Sequence, residues 1–336
     1  MFAVLSWCTV RPALAQVDIE PQHSGVDVSL RGISAVNAQI AWASGEKSTV
    51  LRTVDGGHTW TAMNAPGGGA LDFRDVKAFD ARNAVILSIG KGESSRVYRT
   101  GDGGGHWTQV LRNHAPEGFF DCMSFDGARG WLMGDPVNGR FQIYATTDQG
   151  RSWRAVRGPK ADVSESAFAA SGTCIAGNKG EQLVGSGGAH SRISIIRTGE
   201  ADWHGVDSTM GRSLDSAGVF GITRWPHGDG WLTVGGDYRK ENAPGNAARV
   251  TTDAHGRTHV QALPAPPGFR SGAACLASGP NPCFVVGPSG VDRWQDGHWS
   301  SLSRQGYHAI DTVGAIGWLS GPGGRIARLE LRATSP

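Results

Sequence analysis

The sequence predicts an all-β chain folded as a seven-bladed β-propeller, with degenerate Asp-box turns and with its N- and C-terminal strands closing the ring. Three observations carry this. The stretch LRTVDGGHTW at Leu51–Trp60 recurs as YRTGDGGGHW at Tyr98–Trp107 and as YATTDQGRSW at Tyr144–Trp153. The closing tryptophans Trp60, Trp107 and Trp153 are spaced 47 (60 to 107) and 46 (107 to 153) residues apart, within the roughly 40–50 residues of a four-stranded blade. A short apolar strand ending in glycine also recurs seven times. It reads AWASG (41–45), AVILSIG (84–90), GWLMG (130–134), TCIAG (173–177), GWLTVGG (230–236), CFVVG (283–287) and GWLSG (317–321).

The turn has a local physical logic. Asp55, Asp102 and Asp148 accept hydrogen bonds from backbone N–H groups a few residues on and fix the turn. Gly57, Gly104 and Gly150 supply positive φ without steric cost. The tryptophans offer large apolar surfaces for burial between sheets. These residues are read as structural. Later copies fade: IRTGEADW (196–203) keeps Thr198 and Trp203, VTTDAHGRTH (250–259) keeps Asp253 and Gly256, and DRWQDGHW (292–299) keeps Gly297 and Trp299.

An innermost strand begins each repeat. The candidates are SLRGISAV (29–36), LDFRDVKAF (71–79), FFDCMSF (119–125), SESAFAA (164–170), SAGVFGIT (216–223), FRSGAACL (269–276) and YHAIDTV (307–313). The last repeat ends in GGRIARLEL, and residues 17–28 are expected to supply its missing outer strand, which removes an open edge. A single domain is expected over 17–333. The 336-residue chain has room for seven blades, and its 50 glycines suit many tight turns.

Composition narrows the function classes. A net charge of +2 argues against a nucleic-acid surface. No apolar run reaches 18 residues, so no membrane span is expected. Residues 1–15 read as a signal-peptide remnant with an A-x-A site at Ala13-Leu14-Ala15, which predicts a periplasmic or secreted protein. Four cysteines then remain. Cys275 and Cys283 flank a short loop that a disulfide would close, whereas Cys122 and Cys174, in different repeats, are expected to be buried free thiols. No cysteine–histidine spacing suits a metal, and no cofactor is expected, because the glycine-rich stretches are turns between strands.

Successive inner strands of a propeller line a central channel. Aligning them stacks Arg31, Arg74, Asp75, Asp121, Glu165, Ser166, Arg270, Ser271 and His308 near one mouth. Asp135, Asp237 and Tyr238 follow strands that exit into longer loops, a frequent place for function. Three arginines beside carboxylates would bind an anion, since guanidinium offers bidentate recognition.

At this point the chain resembles the BNR/Asp-box repeat propellers. It is most similar to the bacterial proteins like the photosystem II stability/assembly factor (YVTN/BNR-like). The resemblance rests on TVDGGHTW, TGDGGGHW and TTDQGRSW, on the recurring GW strands, and on the runs LDFRDVKAFDARNAVILSIG, FFDCMSFDGARGWLMGDPVNGRFQIYATTDQG and GGDYRKEN. It implies a seven-bladed fold. The function expected of the chain is that of a non-catalytic, exported protein that binds a protein or peptide partner, as an assembly or stability factor would. The alternative is a sialidase-like hydrolase or lyase acting on an acidic glycan at the mouth. That family would need an Arg-Ile-Pro motif, which is absent, and a tyrosine from among Tyr98, Tyr144, Tyr238 and Tyr307. A two-carboxylate glycosidase would draw on Asp75, Asp121, Glu165 or Asp237.

Overall fold

A computed structural model describes residues 16–211, 214–226, 228–276 and 282–332. The expected signal remnant, residues 1–15, lies outside the described residues. Seven sheets follow one another along the chain. Their innermost strands are Leu30–Ala35, Asp72–Ala78, Phe120–Asp126, Ile175–Gly177, Leu214–Arg224, Gly272–Cys275 and Ala309–Val313. Each packs against the next and the seventh packs against the first, which closes a seven-bladed propeller.

The second strand of a blade is covered on both faces by neighbouring blades. Ala41–Gly45, Cys283–Gly287 and Ile316–Ser320 are therefore buried at every position. This is why they read as unbroken apolar runs rather than alternating ones. Outer strands such as Thr61–Ala62 are exposed and short.

The three Asp-box turns are built alike. Thr53 Oγ1 receives the Gly57 N–H at 2.9 Å, and Asp55 Oδ1 receives the Thr59 N–H at 3.0 Å. The same pair of bonds recurs at Thr100 and Asp102, and at Thr146 and Asp148. Gly57, Gly104 and Gly150 sit at φ 89°, 92° and 75°, where only glycine is relaxed. Trp60 and Trp107 stand edge-on against Trp318 and Trp42 of the preceding blade, with ring centroids 5.7 and 6.4 Å apart. Trp153 meets Phe125 at 5.8 Å. The faded repeats keep this contact by other means: the indole N–H groups of Trp203 and Trp299 donate to the carbonyls of Arg157 and Pro264.

Closure occurs as expected. Gln16–Gln22 pairs antiparallel with Ile326–Arg332, from Gln16 opposite Arg332 to Gln22 opposite Ile326. Gln22 then latches the strand to the first blade. Its side chain donates to the Gly56 carbonyl and accepts from the Trp60 indole.

Two expectations are corrected. The innermost strand of the fourth blade is Ile175–Gly177, not residues 164–170, and its second strand is Glu181–Gly185. TCIAG thus lies one strand further in than its resemblance to the GW strands suggested. Glu165–Ser166 pairs instead with Gly187–Gly188 on the sheet of the fifth blade. Second, Cys122 and Cys174 are not free thiols. They form a disulfide between the third and fourth blades, with Cα atoms 6.0 Å apart. The inner strands converge at the axis and bring together positions 52 residues apart. Cys275 and Cys283 are also bonded, across directly paired positions of adjacent strands.

Candidate functional site

The central channel is not open. Residues 167–173, which lead into the fourth blade, cross it. The Ala169 carbonyl accepts a hydrogen bond from Arg74 Nη1 of the second blade at 3.0 Å. Ser171 Oγ donates to the Ser271 carbonyl of the sixth blade at 2.6 Å. Neither blade adjoins the fourth, so the segment spans the axis and plugs it. Gly172, at φ +76°, passes where a Cβ would come within 2.5 Å of Asp75 Oδ1; only glycine fits that crossing.

The plug separates two cavities. On one side lies a cavity of about 490 Å³, with Arg31, Arg74, Asp121, Asp135, His308 and Tyr238 in its lining. On the other lies a cavity of about 290 Å³ that holds Asp75, Lys77 and Asp311. A third hollow of about 280 Å³ opens between the fourth and fifth blades, and its Arg197 is already engaged by Glu200, Thr252 and Thr258.

The larger cavity has a common device behind its side chains. The strand pairing slips by one residue between Leu30 and Gly32, Phe73 and Asp75, Phe120 and Cys122, Gly134 and Pro136, and Val219 and Gly221. The skipped residues are Arg31, Arg74, Asp121, Asp135 and Phe220, and all five line this cavity. A bulge leaves its extra residue outside the ladder and re-aims its side chain. Here that places charged and aromatic groups in the cavity while the flanking residues stay in the core.

The lining divides by chemistry. Phe168 stacks on Phe220 with centroids 4.0 Å apart, and Phe269 meets Phe220 edge-on at 4.7 Å. Tyr238, 43% exposed, stands at the rim 6.2 Å from both Phe168 and Phe220. Opposing this aromatic wall are two guanidiniums. Arg74 is held by Asp72 at 2.8 Å. Arg31 Nε is buried without a partner. Burial, with Arg74 nearby, lowers Arg31 to about 10, which leaves it charged at neutral pH. Burial and then Arg31, Arg74 and Arg325 push His308 down to about 3, so its ring is neutral. Burial and the adjacent Asp135 raise Asp121 well above the usual carboxylate range. Burial also raises Asp135, whose Oδ1 accepts the Ala167 N–H at 2.9 Å.

The remaining candidates lie elsewhere. Asp75 faces the far side of the plug, where its Oδ2 accepts the Met123 N–H at 2.6 Å and stitches the second blade to the third. Glu165 is buried against Arg192 and Ser186. Arg270, 2% exposed, is bound by Asp292 at 2.7 Å and belongs to the core. Asp237 accepts the Arg239 N–H in its own turn. Tyr307 is fully buried between the sixth and seventh blades. Sequence reasoning missed the aromatic wall of Phe119, Phe168, Phe220 and Phe269, and it missed Glu241 in the loop after Tyr238. A phenylalanine in each of those inner-strand candidates was the available signal. Among the described residues, no cluster of three His, Cys, Asp or Glu side chains could hold a metal. No helix there is long and apolar enough to cross a membrane.

Comparison with known proteins places this geometry. The structure of YCF48 bound to D1 peptide has a TM-score of 0.63 to this chain at 17% identity, covering 98% of this chain and 100% of that one. YCF48 from Cyanidioschyzon merolae gives a TM-score of 0.64 at 16% identity, covering 93% and 98%. A catalytically inactive virginiamycin B lyase from Staphylococcus aureus with Quinupristin gives 0.67 at 16% identity, covering 94% and 100%. At these identities the likeness is one of fold. No curated protein sequence matches the chain. The family described as Photosynthesis system II assembly factor YCF48 matches residues 11–254, well over half of the 336 residues, and the chain belongs to that family.

Proposed function

We propose that the protein is an exported, non-catalytic propeller that binds a peptide segment of a partner, as an assembly or stability factor would, and that the cavity above the plug is where the peptide sits. One observation carries the site: Arg31 and Arg74 face an aromatic wall in a closed-ended cavity, and Arg31 Nε has no partner within the protein. An acidic side chain would meet the guanidiniums while an adjacent aromatic side chain packs on Phe168 and Phe220. Membership of the assembly-factor family and the fold shared with YCF48 bound to D1 peptide support a peptide as the ligand class. Export is supported by the Ala13-Leu14-Ala15 site and by two disulfides, bonds that persist in oxidising compartments.

The test is fluorescence anisotropy with a labelled, amidated peptide alternating phenylalanine and glutamate. Binding is expected, and Arg31→Ala should weaken it about tenfold or more with unchanged Tm, because Arg31 makes no hydrogen bond that folding needs. No binding by the folded wild type overturns the reading. Galacturonate, followed separately by thermal shift, separates a glycan site from a peptide site: a raised Tm with the sugar, together with no peptide binding, would favour the glycan-acting alternative.

A further inference from the structure

We infer that Asp121 is the selecting group of this cavity: it stands as a neutral carboxylic acid, donates a hydrogen bond to the anion that Arg31 and Arg74 attract, and permits binding only while it keeps its proton. This rests on the peptide-binding reading above and adds its regulation.

Asp121 is the residue set out of the ladder by the bulge between Phe120 and Cys122, and it lines the cavity. It is 1% exposed, yet its Oδ2 has no partner. Three other aspartates near the axis each spend an oxygen on a backbone N–H: Asp135 on Ala167, Asp75 on Met123, and Asp311 on Ala35. An orphaned buried carboxyl oxygen is costly unless a ligand satisfies it.

Two buried carboxyl groups side by side cannot both ionise. Asp121 is the more deeply buried of the two, so desolvation disfavours its charged form more and the proton of the pair resides there. Burial and the neighbouring Asp135 hold that proton, against the opposing pull of Arg74 and the Asp135 N–H. The other groups around the cavity are Arg31 from the first blade, Asp72 and Arg74 from the second, Tyr238 and Glu241 from the fifth, and neutral His308 from the seventh. Asp75 and Lys77 lie on the same strand as Arg74 but open beyond the plug. The inner strand of the fourth blade, Ile175–Gly177, has no titratable side chain.

With Asp121 protonated, the polar part of the lining offers the O–H of Asp121 and the N–H groups of Arg31 and Arg74 together, a match for a carboxylate. Ionised Asp121 repels the same carboxylate and offsets one guanidinium. Affinity for an anionic peptide is then flat at acid pH and falls up to tenfold per pH unit once Asp121 loses its proton.

The experiment titrates the same phenylalanine–glutamate peptide against the full chain from about pH 6 to about pH 9, a range in which its glutamates stay ionised. The wild-type Kd should rise about tenfold or more over that range, while Asp121→Asn, whose amide still donates, should bind at every pH without the rise. Asp75→Asn should keep the wild-type slope, which separates Asp121 from Asp75, a buried carboxyl pushed up to about 8. A flat wild type, a slope that survives in Asp121→Asn, loss of binding in folded Asp121→Asn, or a slope removed by Asp75→Asn overturns the inference and leaves peptide binding standing. Absence of binding by the wild type at every pH overturns the peptide reading itself. If Asp121→Asn does not fold, calorimetry of the wild type in two buffers of different ionisation enthalpy reads the same event. Proton uptake on binding at the alkaline end supports it, and no uptake overturns it.

Discussion

Asp75 and Asp55 show how one residue type is turned in opposite directions by its surroundings. Burial pushes Asp75 up to about 8, although the Met123 N–H opposes it. The folded-state value lies above the unfolded one, so the folded chain holds this proton more tightly. The stability linked to it is full below about pH 4 and is lost as pH rises through about 8. Tm should therefore fall from about pH 5 to about pH 9 by about 5 °C or more. Asp75→Asn, which still offers an oxygen to Met123, should lessen that fall, leaving the part that Asp121 and Asp135 carry; scanning calorimetry of both proteins across the range decides it, and an unchanged slope would reject the assignment. Asp55 sits in its turn with the opposite sign. Hydrogen bonds from the Thr59 side chain and backbone hold it near 2, so its share of stability is present above about pH 4 and goes as pH falls towards 2.

At the scale of elements, the bulges and the plug shape the site. Each bulge costs one rung of a ladder and gains one channel-facing side chain. The plug gives the cavity its floor, and two separate bonds anchor it, at Arg74 and at Ser271. The Cys122–Cys174 disulfide joins the two sides of this construction: Cys122 follows Asp121 in the cavity wall, and Cys174 follows the plug. Replacing both cysteines with serine should cost about 4 kcal/mol by the loop-closure argument for a 52-residue separation, read by urea unfolding. Because the floor loosens with it, peptide affinity should also fall at temperatures where the variant remains folded. A variant with native stability would place the restraint on the unfolded chain elsewhere.

The whole molecule depends on ring closure. Without Gln16–Gln22 the strand Ile326–Arg332 would be an open edge, and Val17 and Ile19 would leave the apolar cluster between the sixth and seventh blades. An open edge pairs with other chains. A chain beginning at His23 should lose about 10 °C in Tm and should elute as larger species on size exclusion. A monomer of unchanged Tm would show that the seven inner strands hold the ring without the outer strand.

The blades, their turns and the closing strand could be read directly because their signals are local. Asp55, Gly57 and Trp60 act within one ten-residue turn, and the period of Trp60, Trp107 and Trp153 needs no knowledge of which strand pairs with which. The apolar second strands announce themselves by burial on both faces. The candidate site was legible only in part. Arg31, Arg74, Asp121, Asp135, Tyr238 and His308 share a cavity, whereas Arg270, Glu165, Asp75 and Asp237 are turned to core, neighbour, far side and loop. For Arg31, Arg74, Asp121 and Asp135 the difference lies in a one-residue slip of strand register, which exchanges channel for core and leaves no mark in composition. The plug, the orphaned oxygen of Asp121 and the Cys122–Cys174 bond likewise depend on residues 50 to 100 apart in the chain. Such contacts form only when seven sheets meet at one axis, so they belong to the tertiary structure.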